Sequence, residues 1–126
     1  MKTLFLPLKK EWYNLIESGI KTEEYREIKK HWISRLCVHE DGRPITRAYA
    51  NYLEHNISSL CTAIHCEVLR FSRYTQVRFS YGYTRRTMTY KIESITIGIG
   101  SPRWGAPAKP VFIIKLGFQE SSETKL

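Results

Sequence analysis

Residues 2–27 read KTLFLPLKKEWYNLIESGIKTEEYRE, and the hydrophobic period changes twice within them. Lys2 to Leu6 is a short strand pattern, which Pro7 is expected to stop. From Leu8 to Ser18 the apolar residues Leu8, Trp12, Leu15 and Ile16 fall on one helical face. Gly19 then supplies the left-handed residue that ends a helix cheaply. Thr22 to Glu27 reads as a second strand, entered by a turn. A strand, a helix and a strand so close together point to mixed α and β structure.

Working outward, Lys29 to Cys37 reads as a short helix with Trp32, Ile33 and Leu36 turned inward, and Asp41-Gly42-Arg43-Pro44 is a turn. Apolar residues at Ala48, Tyr49, Tyr52 and Leu53, then at Ile57, Leu60, Cys61, Ile64 and Val68, predict two helices over residues 45–70, with Ser58 or Ser59 as a cap. Thr62 to Phe71 also fits a strand. Beyond Tyr74 the pattern is β. Val77, Phe79 and Tyr81 alternate with Arg78, Ser80 and Gly82; Thr87 to Ile99 is β-branched, with Tyr90, Ile92 and Ser94 on one side. Glycines and prolines from Gly98 to Pro110 make a loop, and Val111 to Phe118 is an apolar strand. The expected class is α+β, one domain over 1–126, a twisted and mostly closed sheet with helices packed outside. Residues 119–126 form a polar tail.

The chain has 126 residues, 42% hydrophobic and 25% charged, which excludes wholesale disorder and suffices for one core. No apolar run reaches the roughly 20 residues of a membrane helix, and no secretory leader is evident. The odd set Cys37, Cys61 and Cys66 suggests free thiols in a reducing cytoplasm. The net charge is +8. Residues 70–91 hold 6 basic and no acidic side chains, three-quarters of that net charge. Such a run is either a solvated face or a phosphate-binding one.

The densest chemical signal is Ser18-Gly19-Ile20-Lys21-Thr22-Glu23-Glu24-Tyr25-Arg26, which contains Gly-x-Lys-x-x-Glu-x-Arg. On a strand, Glu24 and Arg26 point to the same face, and Lys21 sits in the entering turn. A carboxylate between two cations stays ionised when partly buried. The group is either an ion-pair network at a strand end or a recognition site with cationic donors and one acceptor.

That spacing, the preceding amphipathic helix and Glu24-Tyr25-Arg26-Glu27-Ile28-Lys29 followed by Trp32 resemble the ASCH domain of the PUA-like superfamily. Val77-Arg78-Phe79-Ser80-Tyr81-Gly82-Tyr83 and Trp104-Gly105-Ala106-Pro107 resemble its bacterial and phage-type branch. The likeness covers residues 2–37 and 75–117, leaving 38–74 as a helical insertion. It implies a small β-barrel flanked by helices and a cleft that recognises RNA or a nucleotide, with Gly19, Lys21, Glu24 and Arg26 at the matching cleft positions. Some members resemble amidohydrolases of acetylated cytidine that use Lys, Thr and Glu. Here Lys21 is present, Glu24 stands where that branch carries Thr, and Thr22 is a neighbouring hydroxyl.

A second constellation is basic and aromatic: Arg70, Phe71, Arg73, Tyr74, Arg78, Phe79, Tyr81, Tyr83, Arg85, Arg86, Tyr90 and Lys91. Guanidinium groups suit phosphates and flat rings suit unstacked bases. Parity puts Phe79 in the core and Arg78 opposite it, and leaves Tyr83, Arg85 and Arg86 exposed near a turn. Trp104, in its Gly/Pro loop, is either a base platform or a packed anchor. Cys61, His65 and Cys66 fall short of a closed zinc site. No nucleophilic triad, dinucleotide fingerprint or phosphate loop is present, so neither metal nor cofactor is expected.

The expected function is an RNA- or nucleotide-binding domain, with Gly19, Lys21, Thr22, Glu24, Arg26, Arg78, Tyr83, Arg85, Arg86 and Trp104 as binding residues. The alternative is a hydrolase of a modified nucleoside or RNA, amidohydrolase-like or nuclease-like, with Lys21 and Glu24 catalytic. A third reading is a protein-interaction module.

Overall fold

The computed structural model describes residues 2–123. Among them the order is β1 (Thr3–Leu8), α1 (Lys10–Glu17), β2 (Glu23–Arg26), α2 (Lys30–Leu36), β3 (Cys37–His39), α3 (Arg47–Glu54), α4 (Ile57–His65), β4 (Leu69–Phe71), β5 (Gln76–Tyr81), β6 (Thr87–Ile99), a 3-10 turn (Pro102–Trp104) and β7 (Pro110–Glu123). The class is α+β. Strands β1-β5-β6-β7-β2 form one mixed sheet, and β3–β4 form a separate two-stranded ribbon. No helix among the described residues is long and apolar enough to cross a membrane.

The sheet curls into a half-barrel and does not close. Its edges are β1 and β2. β2 has four residues before the chain turns into α2, and guanidinium groups occupy carbonyls along β1. Arg35 Nη2 donates to Phe5 O at 3.2 Å, and Arg26 Nη2 reaches Pro7 O at 3.4 Å. These are carbonyls that a closing strand could have bonded, and cations there also protect the edge. Pro7 does not stop β1, because on an edge strand its missing N–H need not cost a ladder bond.

One face of the sheet bears Leu4, Leu6, Val77, Phe79 and Ile114, and the helices bring Ile16, Ile33, Leu36, Leu53 and Leu60 into the same core. In α1 the buried side chains are Tyr13 and Ile16, so the apolar stripe sits one position from the expected one and leaves Trp12 and Leu15 half-buried. Residues 38–74 contain two helices and, apart from Cys37, the strands of the ribbon. Leu53, Leu60 and Leu69 are fully buried in the main core. Thr46 caps α3, accepting from Tyr49 N at 3.2 Å. Asn56, and not Ser58 or Ser59, precedes α4; its side-chain amide donates to Tyr52 O at 2.7 Å and so closes the end of α3. Of the Thr62–Phe71 stretch, Leu69–Phe71 alone is strand.

In β6 the pairing with β7 shifts between Ile92 and Ser94. Ser94 therefore lies opposite exposed Lys115, while Ile95 lies opposite buried Ile114 and packs on the core. A one-residue irregularity reverses which side chains face inward. Residues 119–123 of the expected polar tail continue β7; residues 124–126 lie outside the described residues.

Candidate functional site

The opening between the edge strands is a cleft of about 550 Å³. Pro7 and Leu8 of β1 form one lip, Glu24 to Arg26 of β2 the other, and Trp12, Trp32 and Trp104 wall it. The chain has three tryptophans, and all of them are here.

Local structure explains how the charged group gets there. Gly19, at φ +84°, ends α1 in a left-handed turn. Ile20 N donates to Leu15 O and Gly19 N to Ile16 O, which is a Schellman closure. Lys21 N shares the Leu15 carbonyl at 3.0 Å, so the turn carries Lys21 inward beneath the cleft. There Lys21 is 2% exposed. Its Nζ donates to Glu24 Oε1 at 2.8 Å and to Trp104 O at 3.1 Å, and lies 5.0 Å from the ring centres of Trp12 and Tyr25. Glu24 Oε2 accepts from Arg26 Nη1 at 2.6 Å. Arg26 also donates to Tyr25 O at 2.8 Å and lies over the Trp32 ring at 5.2 Å. Two cations thus share one carboxylate, and the outer one is held against an indole.

The far wall is held by close packing. A Cβ on Gly105 would meet Trp12 Cζ2 at 2.8 Å, and φ there is +90°. A Cβ on Gly100 would meet the Tyr25 ring at 2.7 Å. The Tyr25 hydroxyl donates to Glu23 at 2.8 Å and accepts from Ser101 N at 3.0 Å. Burial pushes this hydroxyl up to about 12; the Ser101 bond pulls it down, and Glu23 pushes it up again. It is a neutral bridge between β2 and the loop that carries Trp104.

The other predicted residues are placed elsewhere. Thr22 is exposed and outside the lining, and Gly19 serves the helix end. Arg78 stands on the outward face of β5, donating to Thr89 Oγ1 at 3.1 Å above the Phe5 ring. Tyr83 and Arg85 lie in the β5–β6 turn, both exposed. Arg86 is engaged by Glu17 at 2.8 Å and lies over the Tyr13 and Tyr81 rings. Arg70 turns to Glu40 O, and Lys91 to the Phe118 ring. The basic stretch 70–91 is therefore dispersed and not a single face. Cys61 and Cys66 are exposed and Cys37 is buried. Among the described residues no group of three His, Cys, Asp or Glu could hold a metal.

Trp12 and Trp32, expected on inward helix faces, line the cleft without a motif in the sequence that singles them out. A stripe drawn through Tyr13 and Ile16 would have left Trp12 at its margin. No protein family, curated protein or solved structure matches the chain.

Proposed function

We propose that this is a nucleic-acid-binding domain of the ASCH type that recognises RNA or a modified nucleotide in the tryptophan-walled cleft. The observation that carries the reading is the convergence of three indoles and one immobilised guanidinium at the open edge of the sheet. Flat rings hold an unstacked base by stacking, and an anchored guanidinium supplies directed donors to a base edge or phosphate. Lys21 is a positioning residue in this account. It sits under Glu24, which in turn aims Arg26. The hydrolase alternative is the weaker one, because each oxygen of Glu24 already accepts from a cation and the carboxylate serves to hold Arg26 in place. The three unpaired thiols suit a reducing compartment, and we assign the protein to the cytoplasm on that ground.

The test is equilibrium binding of short labelled RNAs, read by anisotropy, to wild type and Arg26 variants. Removing a charged donor costs about 1.5–3 kcal/mol, so Arg26→Ala should weaken binding roughly 10- to 150-fold. Arg26→Lys should recover little, since an ammonium lacks the planar fork. Wild-type affinity in the Arg26→Ala variant would remove the cleft from the account.

A further inference from the structure

The lip formed by Pro7, Leu8 and Lys9 belongs to two concavities. Beyond it lies a second cavity of about 620 Å³, lined by residues 7–11 and by Gly82 and Tyr83. The three shared residues make the two spaces neighbours, one on either side of the lip. Tyr83 stands over the second one at 97% exposure, far barer than the other exposed large hydrophobic residues, which reach 64%. This ring contributes nothing to the core, yet its backbone is firmly held. Gly82 takes φ +60° and donates its N–H to Leu8 O at 2.8 Å. Ser80 Oγ donates to Gly82 O at 2.7 Å, and Thr84 Oγ1 donates to Tyr81 O at 2.7 Å. The turn is thus pinned to the lip of the cleft, and the ring stands on an ordered backbone, so that binding has only the side-chain rotamer left to fix. The charge around it is cationic. Lys9 and Lys10 line the cavity against one acid, Glu11, and Arg85 is carried on the same turn as Tyr83.

We propose that the cleft takes one base of a single-stranded RNA and not a free nucleoside, with the strand leaving over Lys9 and Lys10 so that its neighbouring base stacks on Tyr83. This rests on the cleft reading above and specifies its substrate as a polynucleotide. A sequence-tolerant aromatic platform beside backbone-tracking cations is the arrangement by which single strands are held, and the cleft would supply the selective contact.

The experiment compares a mixed-sequence pool of labelled RNA hexamers with a pool of the four ribonucleoside monophosphates, against wild type, Tyr83→Ala and Lys9→Ala/Lys10→Ala. Loss of one stacked base should weaken hexamer binding by about 5- to 150-fold in Tyr83→Ala and leave monophosphate affinity unchanged. Tyr83→Phe should bind hexamers as wild type does. The double-lysine variant should flatten the plot of log affinity against log salt by about 1.4, two phosphate contacts on a single strand. Hexamer affinity untouched by Tyr83→Ala, or lowered equally with the monophosphates, overturns the strand path while the cleft reading stands. A wild type that binds neither pool overturns both.

Discussion

Glu24 is the residue on which the site turns, because it is the one acid between Lys21 and Arg26. Replacing it by Gln leaves the buried Lys21 ammonium without its counter-charge. Removing one partner of a buried pair costs about 3–5 kcal/mol, so Glu24→Gln should lower the urea midpoint sharply. Lys21→Met with Glu24→Gln should regain most of that stability, since the uncompensated charge is gone, yet bind RNA no better. Strand parity made the shared face of Glu24 and Arg26 legible in the sequence. The depth of Lys21 was not, because it depends on how far the Schellman turn carries the chain under the loop. Cys37 gives a separate residue-level expectation. Burial pushes its thiol from 9.0 up to about 12. The folded state then holds the proton more tightly than the unfolded one, so stability is intact below about pH 9 and falls as pH rises toward 12. Urea midpoints measured from pH 8 to 10 should decline less steeply in Cys37→Ala than in wild type.

At the scale of elements, the loop from Gly100 to Pro110 and the helices of residues 45–65 carry separate expectations. Gly105→Ala places a methyl group 2.8 Å from the Trp12 ring at a left-handed backbone position. It should cost about 1–3 kcal/mol, shift the tryptophan emission and weaken RNA binding. In α4, Leu60 is fully buried in the same core as the sheet. Leu60→Ala should cost about 2–5 kcal/mol, with fluorescence and circular dichroism transitions still coincident, as one cooperative unit requires. Element existence was largely readable: α3 and α4 came from their 3.6 period, and β6 from its β-branched run. The faces were less so. The β6 irregularity reversed its alternation after Ile92, and α1 rotated enough to release Trp12 from the core into the cleft wall. Both depend on partners distant in sequence.

At the scale of the molecule, the gap in the half-barrel is what makes a site possible. A closed sheet would pair β1 with β2 and fill the place where Arg26 and Trp32 now meet. The α+β class followed from the hydrophobic period, but openness did not, because the groups that meet the β1 edge are guanidinium groups from β2 and α2, distant in sequence. Likewise the concentration of charge in residues 70–91 was legible, while its dispersal was not: Arg86 is held by Glu17, and Arg78 faces away from the cleft. Since every tryptophan of the chain stands in the cleft wall, the indole N–H resonances report on that cleft directly. The decisive measurement is a proton–nitrogen correlation spectrum titrated with short single-stranded RNA. The account predicts that all three indole signals shift and saturate together with the anisotropy of the labelled strand. RNA that binds by anisotropy while the three indole signals stay in place would contradict it.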